Sequence, residues 1–190
     1  LRSPNPFAQH FVEAGVQAGE VRNGDFNGPS QEGVGLYQVT HKNGERFSAA
    51  KGYLTPHLAR PNLRVITGAR ATRIVLEGKR AVGVEYEQGG VRQTLRCSRE
   101  VLLSAGALLS PQLLMLSGGG PGLQLQQHGI PVLHDLPGVG MHLHDHVDVV
   151  QVMDAPGLYE LFGLSLPGAL SILRGIGAWR RTRSGIRTTK

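Results

Sequence analysis

Between residues 100 and 120 the sequence reads EVLLSAGALLSPQLLMLSGGG, and no other stretch constrains the fold as much. A short apolar run ends in Ser104, Ala105 and Gly106, and a leucine-rich helical pattern follows at once and closes on three glycines. Strand, tight turn and helix in immediate succession form the recurring joint of α/β proteins. Ser110 is expected to cap the helix, and Pro111 to take its first position, where a missing N–H costs nothing. Gly106 removes a side chain where the strand turns, and Leu113 and Leu114 give the helix an apolar side to lay on a sheet. On spacing alone two readings stay open: a purely structural joint, or a turn where cofactor phosphates approach free helix amides.

Upstream, from Asn62 to Cys97, the pattern is one of short strands: LRVIT, then ATRIVLE, AVGVEYE and VRQTLRC, with GKR and QGG as turns. This predicts one strand followed by an antiparallel meander. Nearer the start, PFAQHFVEAGVQAG places Phe7, Phe11, Val12 and Val16 on one helical face and ends on Gly19 as a C-cap. A polar loop, NGDFNGPSQEGVG, leads into a strand-like VGLYQVTH stopped by Asn43-Gly44, and Ser48 caps a short helix in AAKGYLTPHL. After the glycine run a second short helix is expected in LQLQQHG, then a strand and tight turn in IPVLHDLPGVG, a strand in VDVVQVMD, and an amphipathic helical region beyond.

The chain has 190 residues, 40% of them hydrophobic, enough for a globular core. No signal or transit pattern opens it, and the true N-terminus is expected to lie upstream. A single cysteine, Cys97, excludes an internal disulfide and any multi-cysteine metal site, and fits a reducing compartment; it reads as structural. The net charge of +6 is local: Arg174, Arg180, Arg181, Arg183, Arg187 and Lys190 account for it, and no acidic residue follows Glu160. No zinc finger, aromatic RNA-binding sheet or recognition helix accompanies that basic end, so no nucleic acid is expected as a partner. The apolar stretch 158–178 contains Glu160, Pro167 and Arg174, which argues against a spanning helix and leaves surface attachment open.

The run from Gly106 to Gly120 also resembles the second signature of the glucose–methanol–choline oxidoreductases, Gly-Ala-x-x-Ser-Pro-x-two aliphatics-x-x-Ser-Gly-aliphatic-Gly. The one departure is Gly119, where that family has an aliphatic residue. NPFAQHFVEAGVQAG with DFNGPSQEGVG, NGERFSAAKGYLTP, RPNLRVITGARATRIVLEGKRAVGVEYE and LPGVGMHLHDHVDV are similar to choline dehydrogenase-like members in the same order. The resemblance covers nearly the whole chain and weakens after Asp154.

The resemblance implies an α/β fold with α+β character: part of an FAD-binding Rossmann-like domain with an antiparallel β-meander, interleaved with part of a substrate-binding domain. Residues 1–60 would belong to the substrate or cap side, 61–146 to the FAD-binding domain, and 147–190 to the substrate domain with its amphipathic helix. The Ala71 backbone would meet the adenine edge of FAD, and Ala105 and Gly106 would lie against the dinucleotide. The implied reaction is oxidation of a primary alcohol, choline first among candidates, to an aldehyde, with FAD as hydride acceptor and a quinone or oxygen as electron acceptor. An aliphatic or aromatic alcohol is the competing substrate. The chain carries neither the Gly-x-Gly-x-x-Gly turn nor the histidine-bearing catalytic region that the family uses, so it is expected to be an internal fragment, inactive alone, with no catalytic residue of its own.

The cluster His142, His144, Asp145, His146 and Asp148 has metal-competent side chains. The family pattern at this place is a turn into a helical segment without metal, with His142 in place of its Asn, so Asp145 and His146 are expected to fix the turn by local hydrogen bonds. Asn27, Gly28, Gln31, Glu32 and Gly33 are expected to serve turn chemistry on the substrate side. The protein is expected to be cytoplasmic, with peripheral contact at the inner face of a membrane. A catalytically silent piece and a metal- or nucleic-acid-binding module are the readings from other classes.

Overall fold

The computed structural model describes residues 6–152 and 166–183. In chain order its elements are α1 (Pro6–Gln17), β1 (His41–Lys42), β2 (Glu45–Arg46), a π turn (Ala50–Leu54) running into a 3-10 turn (Thr55–His57), β3 (Ala69–Glu77), β4 (Arg80–Gln88), β5 (Val91–Arg96), α2 (Gly106–Leu116), β6 (Gly119–Gly120), α3 (Gly122–Gln127), β7 (His134–Asp135) and α4 (Leu166–Thr182). Two compact units result, one from residues 1–63 and 151–190, the other from 64–150.

In the first unit α1 ends as the glycine requires: Gly19 has φ +102°, and the Glu20 N–H reaches back to the Gly15 carbonyl at 3.0 Å. Of its apolar face only Val12 is buried, while Phe11 stays 63% exposed. The loop after it folds around Asn23, whose amide nitrogen donates to the carbonyls of Ser30 and Glu32 and whose Oδ1 accepts from the Asp25 N–H. Asp25 Oδ1 in turn accepts from the Asn27 N–H, so the loop residues do serve turn chemistry. Asn43 and Gly44, with φ of 53° and 70°, form the two-residue turn between β1 and β2 that an Asn-Gly pair favours. Ser48 Oγ accepts from the Lys51 N–H at 3.3 Å, but the helix it was expected to cap is the π and 3-10 pair.

The far end of the chain is tied to this hairpin. Trp179 on α4 donates its indole N–H to the Gly44 carbonyl at 2.7 Å, and the Arg183 guanidinium stacks on the Trp179 ring at 4.3 Å while reaching Glu45 at 2.8 Å. Lys51 donates to the same carboxylate at 2.9 Å. The Lys51 hydrogen bond and charge, with the Arg183 charge behind them, hold the Glu45 carboxyl below its ordinary range.

The second unit is the meander with α2 laid against it. β3, β4 and β5 form one antiparallel sheet in that order, with Gly89 and Gly90 both at positive φ in the second turn. The ladder skips Thr72, a bulge between Ala71, opposite Tyr86, and Arg73, opposite Glu85. β3 is an edge strand, so one side of its backbone has no strand partner. There the Ile74 N–H donates to Ser117 Oγ at 2.8 Å, and the same hydroxyl donates to the Leu113 carbonyl at 2.6 Å, fastening the end of α2 to the sheet. Ile74, Val82, Ser117 and Leu125 are buried, and the glycines 118–120 are buried with them. β6 pairs in parallel with β7, and Asp135 Oδ1 accepts from the Gly122 N–H at the start of α3.

Several expectations are corrected. Residues 63–67, 101–104 and 147–152 are not strands, and VGLYQVTH contributes only its last residue to β1 with a single bridge at Val34. A strand needs a neighbour for its N–H and C=O groups, and among the described residues these runs find none. α2 begins at Gly106, not Pro111, so Pro111 lies inside it, and Ser110 Oγ accepts from the Ala105 N–H at 3.0 Å instead of capping a helix that starts beside it. Residues 141–152 are neither helix nor strand, so the turn at 137–140 does not lead into a helical segment. The opening LRSPNP up to Asn5, the end of VDVVQVMD, the apolar residues 158–165 and the tail with Arg187 and Lys190 lie outside the described residues.

Replacing Ser117 by Ala leaves the buried Ile74 N–H without an acceptor, and the expected loss is about 1–3 kcal/mol in urea unfolding. A loss below the noise of the melt would show that water reaches that amide. The lowered Glu45 carboxyl contributes to its tether above the ordinary carboxylate pKa, and the contribution fades as pH falls through the lowered value. An NMR titration should give Glu45 a midpoint below that of a free glutamate, and Lys51→Met should move it upward.

Candidate cofactor-facing site

The functional reading turns on the start of α2. Ala105 sits at φ −86°, ψ 9°, and Gly106 at φ +87°, a left-handed conformation that a side chain resists. Ser110, one turn into the helix, spends its Oγ on the Ala105 amide and locks the bend. No side chain caps the helix, so its first-turn amides have no protein oxygen folded over them. A Cβ placed on Gly106 would meet nothing within 4 Å. Free amides, the positive end of an eleven-residue helix and an open glycine suit a phosphate-bearing group brought close to the backbone.

Beside this turn runs an open cleft of about 410 Å³, lined on α2 by Ala107, Leu108, Pro111 and Met115 and opposite by residues from Gly140 to His144. Gly140, at φ +79°, faces Met115 and Pro111, and His142 carries φ +57°, a conformation in which an Asn would be at less cost. Asp145 Oδ1 accepts from the His146 N–H at 2.8 Å, a local bond within the segment. Among the described residues no group of three His, Cys, Asp or Glu side chains is placed to hold a metal ion.

Ala105 and Gly106 are adjacent and exposed at the mouth of this turn. Ala71 lies exposed on β3, one residue before the bulge. The α2–β3 hydrogen bond is at Ser117, the opposite end of the helix from Gly106, and among the described residues no hydrogen bond joins Ala71 to the turn. Sequence reasoning missed Ser117 as the fastening and the bulge at Thr72. The serine was visible in the Ser-Gly-x-Gly pattern, but nothing in it named the Ile74 N–H as the donor.

The comparisons with known proteins agree on one class, flavin-type oxidoreductases. The family model described as GMC oxidoreductase matches residues 1–148, and the chain belongs to that family. It is 50% identical over 151 residues to an alcohol dehydrogenase [acceptor] of Pseudomonas putida, covering 78% of this chain and 27% of that protein. It is 53% identical over 145 residues to an oxygen-dependent choline dehydrogenase of Brucella anthropi, covering 76% of this chain and 26% of that protein. Among solved structures an FAD-dependent oxidoreductase from Chaetomium thermophilum superposes with a TM-score of 0.84 at 26% identity, covering 98% of this chain and 34% of that one. The chain therefore spans about a quarter of the length of the curated relatives it matches, and its mixed helical and antiparallel-sheet fold is that of the family's solved members.

The glycine run that closes the signature separates two kinds of glycine. Gly118 has φ +88°, and its Cβ would lie 2.8 Å from both Leu133 Cγ and the Pro131 carbonyl oxygen. Gly119, the departure from the family pattern, has no positive φ, and its Cβ would touch only Leu114, nearest at the Cδ1 end 3.3 Å away. Gly118→Ala is expected to destabilise by at least about 2 kcal/mol, through left-handed strain and collision with backbone. Gly119→Ala, for which Leu114 has only to swing its tip, is expected to stabilise by about 0.4–1 kcal/mol through the unfolded chain. Thermal melts of the two variants should move in opposite directions.

Proposed function

We propose that this chain is the interior part of an FAD-dependent dehydrogenase that oxidises the CH–OH group of a primary alcohol to an aldehyde. The observation that carries the reading is the uncapped start of α2 at a left-handed, open Gly106, within a chain that belongs to the GMC oxidoreductases. Residues 61–146 are the FAD-binding portion, and 1–60 with 147–190 the substrate side. Ala105 and Gly106 hold the dinucleotide through main-chain groups, and the Ala71 backbone, on the edge strand, offers hydrogen-bonding groups to the adenine. When bound, the flavin supplies the acceptor for the alcohol's hydride and the relay of electrons onward. What these residues contribute is binding and orientation; none of them takes a proton from the alcohol.

Choline is the first candidate substrate and an aliphatic or aromatic alcohol the second. The two curated relatives described above carry one name each, at 53% and 50% identity, a gap too small to separate them. Their names, one marked as oxygen-dependent and one as using an acceptor, make oxygen or a quinone the electron acceptor to test. No helix among the described residues is long and apolar enough to cross a membrane. A cytoplasmic enzyme with a peripheral seat at the inner face of a membrane would meet a quinone there.

The test uses the full-length protein. Purified, it should show flavin absorbance that bleaches anaerobically on adding choline, benzyl alcohol or a medium-chain aliphatic alcohol, and the alcohol that bleaches fastest names the substrate class. Protein that purifies without flavin and refuses added FAD would sink the proposal. Gly106→Ala and Gly106→Leu both carry the left-handed strain, without the added penalty of a β-branched residue, and differ chiefly in bulk. Flavin content is expected to drop about tenfold further in the leucine variant, with circular dichroism unchanged between the two.

A further inference from the structure

α4 reads LPGALSILRGIGAWRRT, seventeen residues with three arginines and no acidic residue, about 25 Å long at the usual helical rise. Successive helical residues turn by about 100°, which sets Leu166, Leu170, Leu173 and Gly177 along one stripe, with Arg174 and Arg181 on one flank and Arg180 on the other. Trp179 projects from the opposite side, and that side is occupied: its indole is bonded to Gly44 and stacked under Arg183, which is itself held by Glu45. The anchoring contacts therefore fix which face points away. On that outward face Leu166 is 83% exposed, Leu170 52% and Leu173 63%, and Arg174, Arg180 and Arg181 are exposed around them.

We infer that this face of α4 seats the protein on an anionic lipid surface, the leucines entering the headgroup boundary and the flanking arginines meeting lipid phosphates. The inference deepens the peripheral-membrane part of the reading above and rests on it. Charge complementarity selects the occupant. Three unpaired-in-sequence arginines bordering an apolar stripe, with no acid on the helix, match a negatively charged interface, and their long stems let the cations reach outward while the leucines stay low. A helix anchored on one side through Trp179 can lay its other side in the interface plane without spanning it.

The experiment is cosedimentation of the full-length protein with vesicles of phosphatidylcholine alone or of phosphatidylcholine with phosphatidylglycerol. Binding is expected only with phosphatidylglycerol and should weaken with salt. Arg174→Glu with Arg181→Glu should lower partitioning about fivefold for each arginine removed, and Leu170→Ser with Leu173→Ser should lower it as well. Both variants should keep the wild-type circular dichroism and the wild-type flavin content, each measured without lipid. Binding that ignores phosphatidylglycerol, or that survives both variants, overturns the inference. So does a leucine variant that unfolds or loses flavin without lipid, because the stripe would then be covered by the protein's own chain. Flavin content is read in the same preparations, so a flavin-free protein would sink the oxidoreductase reading while the lipid result still stood on its own.

Discussion

The second unit depends on one hydroxyl. Ser117 Oγ accepts the Ile74 N–H from the edge of the meander and donates to the Leu113 carbonyl inside α2. A three-stranded sheet with an open edge has unpaired backbone on that side, and a helix end has unpaired carbonyls. One buried serine satisfies a donor on the sheet edge and adds a second hydrogen bond to the Leu113 carbonyl, which already accepts from the Ser117 N–H. With α2 fixed at its C-terminal end, its N-terminal end is set in space as well, because a helix of eleven residues behaves as a rod. The geometry of Gly106 and its free amides is thus inherited from a bond at the other end of the helix.

The glycines 118–120 follow from the same fastening. Directly after Ser117 the chain must turn back under α2 and pair with residues 134 and 135. The path runs too close to Pro131, Leu133 and Met115 for side chains at Gly118 and Gly120, where a Cβ would fall 2.8 Å or less from its neighbour. Only at Gly119 does the contact end on a movable leucine tip. This explains why the family pattern allows an aliphatic residue at that place alone: the middle position of the run is the one whose neighbour can give way.

Local signals were legible and non-local ones were not. Gly19 as a helix stop, Asn43-Gly44 as a hairpin turn and the three meander strands each depend on residues within a few positions of one another, and each was readable in the sequence. The strands expected at 63–67, 101–104 and 147–152 depend on partners, and apolar patterning cannot say whether a partner is within reach. Leu102, 80% exposed, shows the difference: its pattern is that of a buried strand, but no neighbouring strand covers it among the described residues. The start of α2 was misplaced for another reason. Ser-Pro reads as a helix opening, but the left-handed Gly106 already turns the chain, and Pro111, five residues on, falls inside the helix and lacks the N–H that would bond the Ala107 carbonyl.

The candidate site was legible in kind rather than in arrangement. Small residues between an apolar run and a helix pointed to backbone chemistry, and the structure supplies backbone chemistry: a bent Ala105, an open Gly106 and uncapped amides. Side chains that attract attention in the sequence, the histidines 142–146 above all, contribute local geometry, with Asp145 spending its Oδ1 on the next residue's amide. A main-chain site leaves little trace in residue identity beyond the glycine that permits it. That is why a long motif in the right order was more informative here than any single titratable residue, and why the Trp179 tether across 135 positions, which no local pattern announces, had to be seen in three dimensions.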